Sequence, residues 1–237
     1  MLVGGALLLL TAACADVPTD PDERAEYDAL NDPIEPFNRQ VFDMNMALDK
    51  ALMKPVARFY ADSVPDPARD KIHNFLANLS APYIFANDIL QGEPRLAADT
   101  LGRFMINSTF GLLGLFDVAA AGDGPKYHAS DMGQTFGVWG APEGPYLMLP
   151  FYGPSNPREV AAKAVGYVAD PTDDLLGFYS ALAVYSRTGA GMLDDRARSI
   201  DQLNDVERNS IDFYASVRSL YRQKRAADVD ARRSKDD

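Results

Sequence analysis

The sequence predicts an all-α fold with irregular Gly- and Pro-rich segments and a long C-terminal helix. Apolar residues recur at intervals of three and four along most of the chain, which is the period of an amphipathic helix. Between residues 122 and 157 Gly and Pro are frequent, and at most one short strand, at residues 146–149, could form. A final three-and-four pattern runs from about residue 192 to residue 227. A sheet-based fold is therefore not expected.

The composition is acidic and short of metal-binding side chains. The 237 residues include 23 Lys and Arg against 34 Asp and Glu, a net charge of −11. Because such a field repels phosphate backbones, no nucleic acid partner is expected. A single Cys excludes an intramolecular disulfide and a thiolate zinc site, and two His are too few for most other transition-metal sites. We predict neither a metal nor a cofactor.

Sequence signatures of catalysis are absent as well. His73 lies beside an apolar helical stripe, where a position on the helix surface is the default. His128 is close in sequence to Ser130 and Asp131, but no G-x-S-x-G motif accompanies them. The sequence contains neither a P-loop nor a G-x-G-x-x-G motif after a strand. We therefore expect no enzyme.

The N-terminal segment predicts export and a lipid anchor. Residues 2–13 form an uncharged apolar run that would reach about 18 Å as a helix, well short of the roughly 30 Å hydrocarbon core of a bilayer. Small residues then precede Cys14, the only cysteine, in a pattern that resembles a lipobox. We predict a signal peptide over residues 1–13, lipidation of Cys14 and a polar tether over residues 14–32. The alternative is an ordinary signal peptide with a free cysteine.

The first half of the body predicts a series of helices. Asp32 and Pro33 precede a helix that we expect to begin at Pro36 and to run to Leu52, with an apolar face that includes Phe37. Proline residues then predict the boundaries, because a proline in a helix interior removes a backbone hydrogen bond. We expect Pro55 to end or kink the first helix, and Pro82 to divide the next apolar stripe into two helices.

An uncharged run of thirteen residues follows the next helix, from Phe104 to Phe116. It is too short to span a bilayer as one helix, and Gly111 and Gly114 each cost about 1 kcal/mol in a helix interior. We expect the helix to break near Gly111 and to return as a second short helix. The residues by themselves favour a buried pair of core helices; the alternative is that both arms lie in the interfacial region of a membrane.

The last part of the chain predicts three helices and a tail. The helices run from about residue 158 to 169, from 174 to 186, and from 192 to 227. The third carries a narrow apolar seam, which we expect to dock on the body of the protein rather than to form a coiled coil. Residues 228–237 are predicted to be a disordered tail, so the folded domain covers residues 33–227.

Three blocks of sequence resemble the MlaA/VacJ family of outer-membrane lipoproteins. The first is the stretch at residues 32–39 followed by Asn45. The second, residues 75–117, contains the F-x-x-N-L-x-x-P, L-Q-G, R-F-x-x-N and T-x-G-x-x-G-x-x-D patterns in order. The third is the Gly- and Pro-rich block at residues 136–155. Together they extend over residues 32–170, well over half of the chain.

The resemblance implies a ring of helices in the inner leaflet of the bacterial outer membrane, anchored by lipid on the periplasmic face. Such a ring is associated with a trimeric porin and encloses an amphipathic channel. Phospholipids misplaced in the outer leaflet pass through it to a periplasmic lipid-carrier protein, and no catalytic group is needed. The alternative function is a structural lipoprotein that scaffolds a porin or an envelope complex, and a periplasmic hydrolase comes third.

Site residues follow from the resemblance together with the residue pattern. Asn38 and Asn45 are seven residues apart on one helix face, so both amides are expected to point into a wet lumen; alternatively, Asn38 caps a neighbouring helix and Asn45 lies on the surface. Arg39 is expected to pair with a buried carboxylate, either Asp117 or Asp43. The candidates that face the channel or the membrane are Asn38, Asn45, Phe104, Gly111, Leu112, Leu113, Gly114 and Phe116. The residues assigned to the structural motif are Asp32, Pro33, Phe37, Arg39 and Asp117.

Overall fold

A computed structural model describes residues 30–121, 124–169 and 180–233. It confirms the all-α class. The predicted signal peptide, Cys14 and most of the tether lie outside the described residues, as does the predicted start of a helix at residue 174. The helices are α1 (Glu35–Leu48), α2 (Lys54–Ser63), α3 (Asp66–Leu90), α4 (Pro94–Thr109), α5 (Met132–Val138), α6 (Pro157–Ala169), α7 (Ser180–Arg198), α8 (Ile200–Asn209) and α9 (Phe213–Arg233).

A small antiparallel hairpin lies between α5 and α6. Its strands are β1 (Leu147–Leu149) and β2 (Gly153–Ser155), with Met148 opposite Pro154. The short strand predicted at residues 146–149 is therefore present. It forms a hairpin because the chain reverses at residues 150–152, where Phe151 has a φ of 63°.

Of the two prolines expected to interrupt helices, Pro55 lies at a helix boundary and Pro82 does not. A π-helical segment, Asp49–Met53, joins α1 to α2, and Pro55 lies in the first turn of α2, where its missing N–H costs least. Pro82 lies inside α3, which continues from Asp66 to Leu90, so the predicted division is wrong. The interior proline is tolerated because α3 packs along α4 and the ring of Pro82 lines an apolar groove between them.

The predicted final helix is three helices. The chain turns at Ser199, between α7 and α8, and becomes extended at Ser210, which ends α8. Asp212 then starts α9, accepting a hydrogen bond from the backbone N–H of Ala215 (3.1 Å). The disordered tail is also wrong up to Arg233, because residues 228–233 continue α9 and Val229 is buried. Residues 234–237 lie outside the described part.

Contacts between elements form a closed circuit. The order is α1, the hairpin, α9, α5, α3, α7 and α2, and the π-helical segment returns the chain to α1. One apolar cluster joins α1, the hairpin and α9 through Phe42, Tyr146 and Tyr214. Another joins α2 to α7 and α8 around Ala57 and Ile200. This circuit agrees with the ring-like arrangement of helices that the sequence predicts.

Candidate functional site

The candidate site is a polar cavity between α3 and α4. The two helices are antiparallel, with a turn at residues 91–93, and each turns a row of polar side chains toward the other. The cavity has a volume of about 130 Å³. Polar residues of its lining include His73, Asn78, Thr100, Arg103, Asp117 and His128.

Arg103 and Asp117 form the charged wall of the polar cavity. Arg103 donates to Asp117 Oδ2 (2.8 Å) and to the carbonyl oxygen of Pro125 (2.6 Å). Asn107 donates to Asp117 Oδ1 (2.9 Å) and accepts from the backbone N–H of Ala119 (2.9 Å). Burial by itself raises the pKa of the Asp117 carboxyl, but the hydrogen bonds from Arg103 and Asn107 outweigh it and leave the pKa below its ordinary value. The carboxyl is therefore ionised at neutral pH.

His128 and Asp88 form a second polar contact of this cavity. His128 Nε2 lies 2.9 Å from Asp88 Oδ2, and Thr100 donates to the same oxygen (2.8 Å). Ser130, the sequence neighbour of His128, instead accepts a hydrogen bond from Gln91. His73, expected on a helix surface, contacts Asp194 of α7 at 2.8 Å. Nothing in the sequence pattern pointed to Asp88 or Asp194, because both partners come from distant helices.

Residues 110–116, here called the apolar loop, follow α4. The helix ends at Thr109, close to the predicted break, but the expected second helix is wrong because the chain makes consecutive turns. Leu112 and Leu113 have φ angles of 52° and 60°, a left-handed conformation that is costly for residues with a Cβ atom. Gly114 has a φ of 94°. This geometry directs both leucine side chains outward.

Two close approaches explain the glycines of the apolar loop. A Cβ atom at Gly111 would lie 2.2 Å from the carbonyl oxygen of Phe116, and one at Gly114 would lie 2.4 Å from the Cβ atom of Asn78. Asn78 also donates hydrogen bonds to Ser108 Oγ (3.0 Å) and to the carbonyl oxygen of Leu113 (3.3 Å). The apolar loop is therefore fastened to the wall of the polar cavity.

The apolar loop exposes large side chains. Phe110 is 78% exposed and Leu113 69% exposed, and Phe116 and Leu112 are exposed as well. In water such a surface is unfavourable by about 25 cal/mol for each Å². The arrangement instead suits an apolar environment, as expected for a membrane-facing segment.

An apolar groove of about 540 Å³ also lies between α3 and α4. Its walls include Pro82, Phe85, Ile89 and Leu101. The apolar groove and the polar cavity share three lining residues: Ala81, Thr100 and Phe104. A polar compartment and an apolar compartment are thus separated by single side chains.

The polarity of the described residues is partly inverted relative to that of a water-soluble domain. Asn38, Asn87, Asp88 and Thr135 are almost completely buried. Phe59, on α2, is 72% exposed. Buried polar groups need hydrogen-bond partners, which these four side chains find within the protein, and exposed apolar groups such as Phe59 need apolar surroundings. Among the described helices, none combines the length and the hydrophobicity required to cross a membrane.

The two asparagines of α1 hold the hairpin. Asn38 is buried; it donates to Asp32 and to the carbonyl oxygen of Tyr146 and accepts from the N–H of Met148 (2.9 Å). Asn45 donates to the carbonyl oxygen of Leu149 (2.9 Å) and accepts from the N–H of Phe151 (2.8 Å). The expectation that both amides point into a wet lumen is corrected accordingly, because the hairpin backbone occupies these amide groups.

The remaining motif residues tie α1 to α9. Asp32 accepts hydrogen bonds from Tyr214 and from Arg218 (2.8 Å). Arg39 pairs with Glu35 (2.7 Å) and Asp212 (2.6 Å), so the expected pairing with Asp117 or Asp43 is wrong. The pairing could not be deduced from sequence, because Asp212 is 173 residues away. Phe37 is partly exposed on the outer face of α1.

Comparison with known proteins gives concordant matches. Residues 30–228 match the family model described as MlaA lipoprotein. The intermembrane phospholipid transport system lipoprotein MlaA of Escherichia coli (strain K12) is 34% identical over 226 residues, covering 91% of this chain and 82% of that protein. The lipoprotein of the same description from Shigella flexneri is 34% identical over 220 residues, with the same two shares.

A solved structure is similar in fold. It comes from work on the structural basis for maintenance of bacterial outer membrane lipid asymmetry. The TM-score is 0.74 at 33% sequence identity, and the match covers 84% of this chain and 98% of that chain. The similarity therefore extends over almost the whole of the solved chain.

Proposed function

The chain belongs to the MlaA lipoprotein family, and we propose that it passes misplaced phospholipids from the outer leaflet of the outer membrane to a periplasmic carrier. The result is maintenance of outer-membrane lipid asymmetry. The main support for the proposal is that the polar cavity and the apolar groove share the lining residues Ala81, Thr100 and Phe104. A phospholipid needs a polar path for its headgroup next to an apolar path for its acyl chains.

The chemistry of the site supports movement rather than catalysis. The polar groups around Arg103, Asn107 and Asp117 already bond to one another, so they present a wet wall and not an activated nucleophile. Transfer of a lipid between two environments needs no bond to break. The strained apolar loop would hold the site at the depth of one leaflet, since its exposed leucines lie beside the cavity wall formed by Asn78.

The direct test is deletion of the gene, followed by quantification of phospholipid exposed on the cell surface. We expect surface phospholipid to rise in the deletion strain and to return to normal when the wild-type chain is restored. An unchanged level after deletion would contradict the transport function.

The variant Leu113→Asp tests the membrane role of the apolar loop. A charge at this position should cost up to about 2.5–3.5 kcal/mol of membrane burial if the loop lies in lipid. Complementation should then fail, although the variant should fold, because Leu113 is 69% exposed. Leu220→Asp is the matched control, since Leu220 is 53% exposed on α9, outside the loop. A scaffolding lipoprotein would tolerate both variants equally.

Localisation and partners belong to the same proposal. Lipidation of Cys14 would anchor the chain to the periplasmic face of the outer membrane, beside a trimeric porin. A single acyl chain holds a protein only weakly at a membrane, whereas several hold it stably. Because Cys14→Ser removes the residue that would carry the acyl chains, it should move the protein toward the soluble periplasmic fraction. Intact-mass analysis of the mature wild-type chain should show acylation at Cys14, and an unmodified cysteine would rule out the anchor. Co-purification after crosslinking in cells should recover the porin.

A further inference from the structure

A second cavity, of about 370 Å³, lies between α3, α5, α6, α9 and the tip of the hairpin. Here it is called the lysine cavity, after Lys163 of α6. Four of these five elements belong to the closed circuit of contacts. Its charged lining residues are Asp131, Glu159, Lys163 and Arg225.

Arg225 uses both carboxylates of the lysine cavity. Its guanidinium donates two hydrogen bonds to Asp131 (2.8 and 2.9 Å) and two to Glu159 (2.6 and 3.2 Å). Arg158, which is not part of the cavity lining, lies 3.6 Å from Glu159, and Asp228 lies 3.8 Å from Arg225. These carboxylates and guanidinium groups pair with one another, and Lys163 is the charged lining residue that takes no part in the pairs.

Among the described residues, the ammonium of Lys163 has no ion pair and no hydrogen bond. Its Nζ atom lies 4.5 Å from the centre of the Tyr152 ring, a cation–π contact. Burial lowers the pKa of this ammonium, and the charge of Glu159 offsets the effect only in part. A partly buried cation without a counter-ion is unfavourable, and a bound anion would relieve that cost.

Two tyrosines of the same cavity can complete an anion site. Burial raises the pKa of the Tyr152 phenol and of the Tyr221 phenol, so both remain neutral hydroxyls that can donate a hydrogen bond. Both rings also offer apolar surface to the carbon atoms around a charged group. Cation, hydroxyl donors and ring faces together match a phosphate ester.

We propose that the lysine cavity binds a phosphate-ester anion, with Lys163 Nζ supplying the charge and the hydroxyls of Tyr152 and Tyr221 donating hydrogen bonds. The choice of a phospholipid headgroup as the source of that anion rests on the proposed function. Free phosphate offers the same charge without the chains. The two sources differ in whether the acyl part of the molecule adds affinity.

The test is calorimetric titration of the full-length mature protein in a maltoside detergent, which contains no phosphate. The probes are dihexanoylphosphatidylglycerol and inorganic phosphate. A hydrogen bond to a charged group contributes about 1.5–3 kcal/mol, so Lys163→Gln should weaken binding of the lipid probe by about 10- to 150-fold. Lys163→Arg keeps the charge and should bind the probe nearly as well as the wild type. Lys224→Gln, an exposed position on α9, is the matched loss of charge and should have no effect.

The outcomes separate the site from the transport function. Equal affinity for inorganic phosphate and the lipid probe, both lost in Lys163→Gln, would overturn the lipid headgroup as the source. Unchanged binding of both probes in Lys163→Gln would overturn the site itself. Thermal unfolding of Lys163→Gln should occur at or above the wild-type temperature, because it removes a partly buried cation that has no ion pair. Loss of a purely structural lysine would lower the unfolding temperature instead. A deletion strain that is rescued by Lys163→Gln would leave the transport function standing while the site fails.

Discussion

At the scale of single residues, the polar side chains inside this protein serve as clamps. Asn38 satisfies a buried carbonyl and a buried N–H of the hairpin, and Asn78 fastens the apolar loop. Each amide replaces the partner that a neighbouring strand would provide. The irregular backbone of the hairpin and the loop can therefore persist because asparagines on α1 and α3 hold it.

Asn38→Ala should be strongly destabilising. It leaves the carbonyl of Tyr146 and the N–H of Met148 buried without a partner, at a cost of about 1–3 kcal/mol for each group. Asn45→Ala is the matched variant at the exposed tip, where water can replace the amide, so the loss should stay below about 1 kcal/mol. Chemical denaturation in detergent measures both. Equal losses would show that burial does not distinguish the two clamps.

Alanine substitution should have opposite effects on stability at two glycines. Gly114→Ala places a Cβ atom 2.4 Å from that of Asn78 at a φ of 94°, so we expect a loss of stability of about 1–3 kcal/mol and faster proteolysis of the apolar loop. Gly102→Ala lies within α4 with no atom in the way, and should add about 0.5–1 kcal/mol through helix propensity. Stabilisation by both variants would contradict the close approach at Gly114.

At the scale of elements, α9 acts as a strap across the molecule. Arg218 bonds to Asp32 and to Glu35 at the start of α1, and Arg225 bonds to Asp131 and Glu159. Arg233 donates to the carbonyl oxygen of Gly137. Successive turns of one helix thus hold the start of α1, the lysine cavity and the end of α5. The strap continues through residues 228–233, which place Val229 against Gly137.

Truncation after Ala227 should loosen this strap. Loss of the buried Val229 side chain alone costs about 1.5–3 kcal/mol, and the contacts of Arg232 and Arg233 are lost as well. The control is truncation after Arg233, which should leave the unfolding transition unchanged. Thermal unfolding of the two truncated chains in detergent provides the comparison. Identical transitions would mean that the last helical turns contribute nothing.

At the scale of the whole molecule, ion pairs between arginines and carboxylates connect separate elements. The chain carries a net charge of −11, yet several of its acidic side chains are paired with arginines. Burial opposes ionisation of Asp131, but hydrogen bonds from Arg225 outweigh it and lower its pKa. A hydrogen bond from Arg39 likewise lowers the pKa of Asp212. These pairs connect elements that are distant in sequence.

The lowered pKa values predict loss of stability in acid. Because folded-state pKa values lie below those of the unfolded chain, about 3.9 for Asp, the stabilisation is complete above the unfolded value and disappears as pH falls through the folded one. Unfolding free energy should therefore change little between about pH 8 and 5 from these groups and fall below about pH 5. Asp117→Asn should show a shallower decline, although its stability at neutral pH is lower. If the unfolding free energy of Asp117→Asn fell as steeply with pH as that of the wild type, Asp117 would not contribute to the pH dependence.

The sequence by itself determined the class of fold, the family and most helix positions. These follow from local physics, because the three-and-four apolar spacing and the glycines near residue 111 act within a few residues of themselves. The end of α4 close to Gly111 and the short strand before Leu149 were therefore predictable. The family motifs added the expectation of lipid transport.

Only the tertiary structure decided how these segments interact. Pro82 remains inside α3 because packing against α4 offsets the missing hydrogen bond, which local propensity cannot anticipate. Asn38 holds a hairpin 108 residues away instead of facing a lumen, and Arg39 pairs with Asp212 across 173 residues. Such partners depend on which elements meet in space, and a residue pattern carries no record of contacts over that distance. The lysine cavity arises in the same way, since α3, α5, α6, α9 and the hairpin meet only in the folded chain.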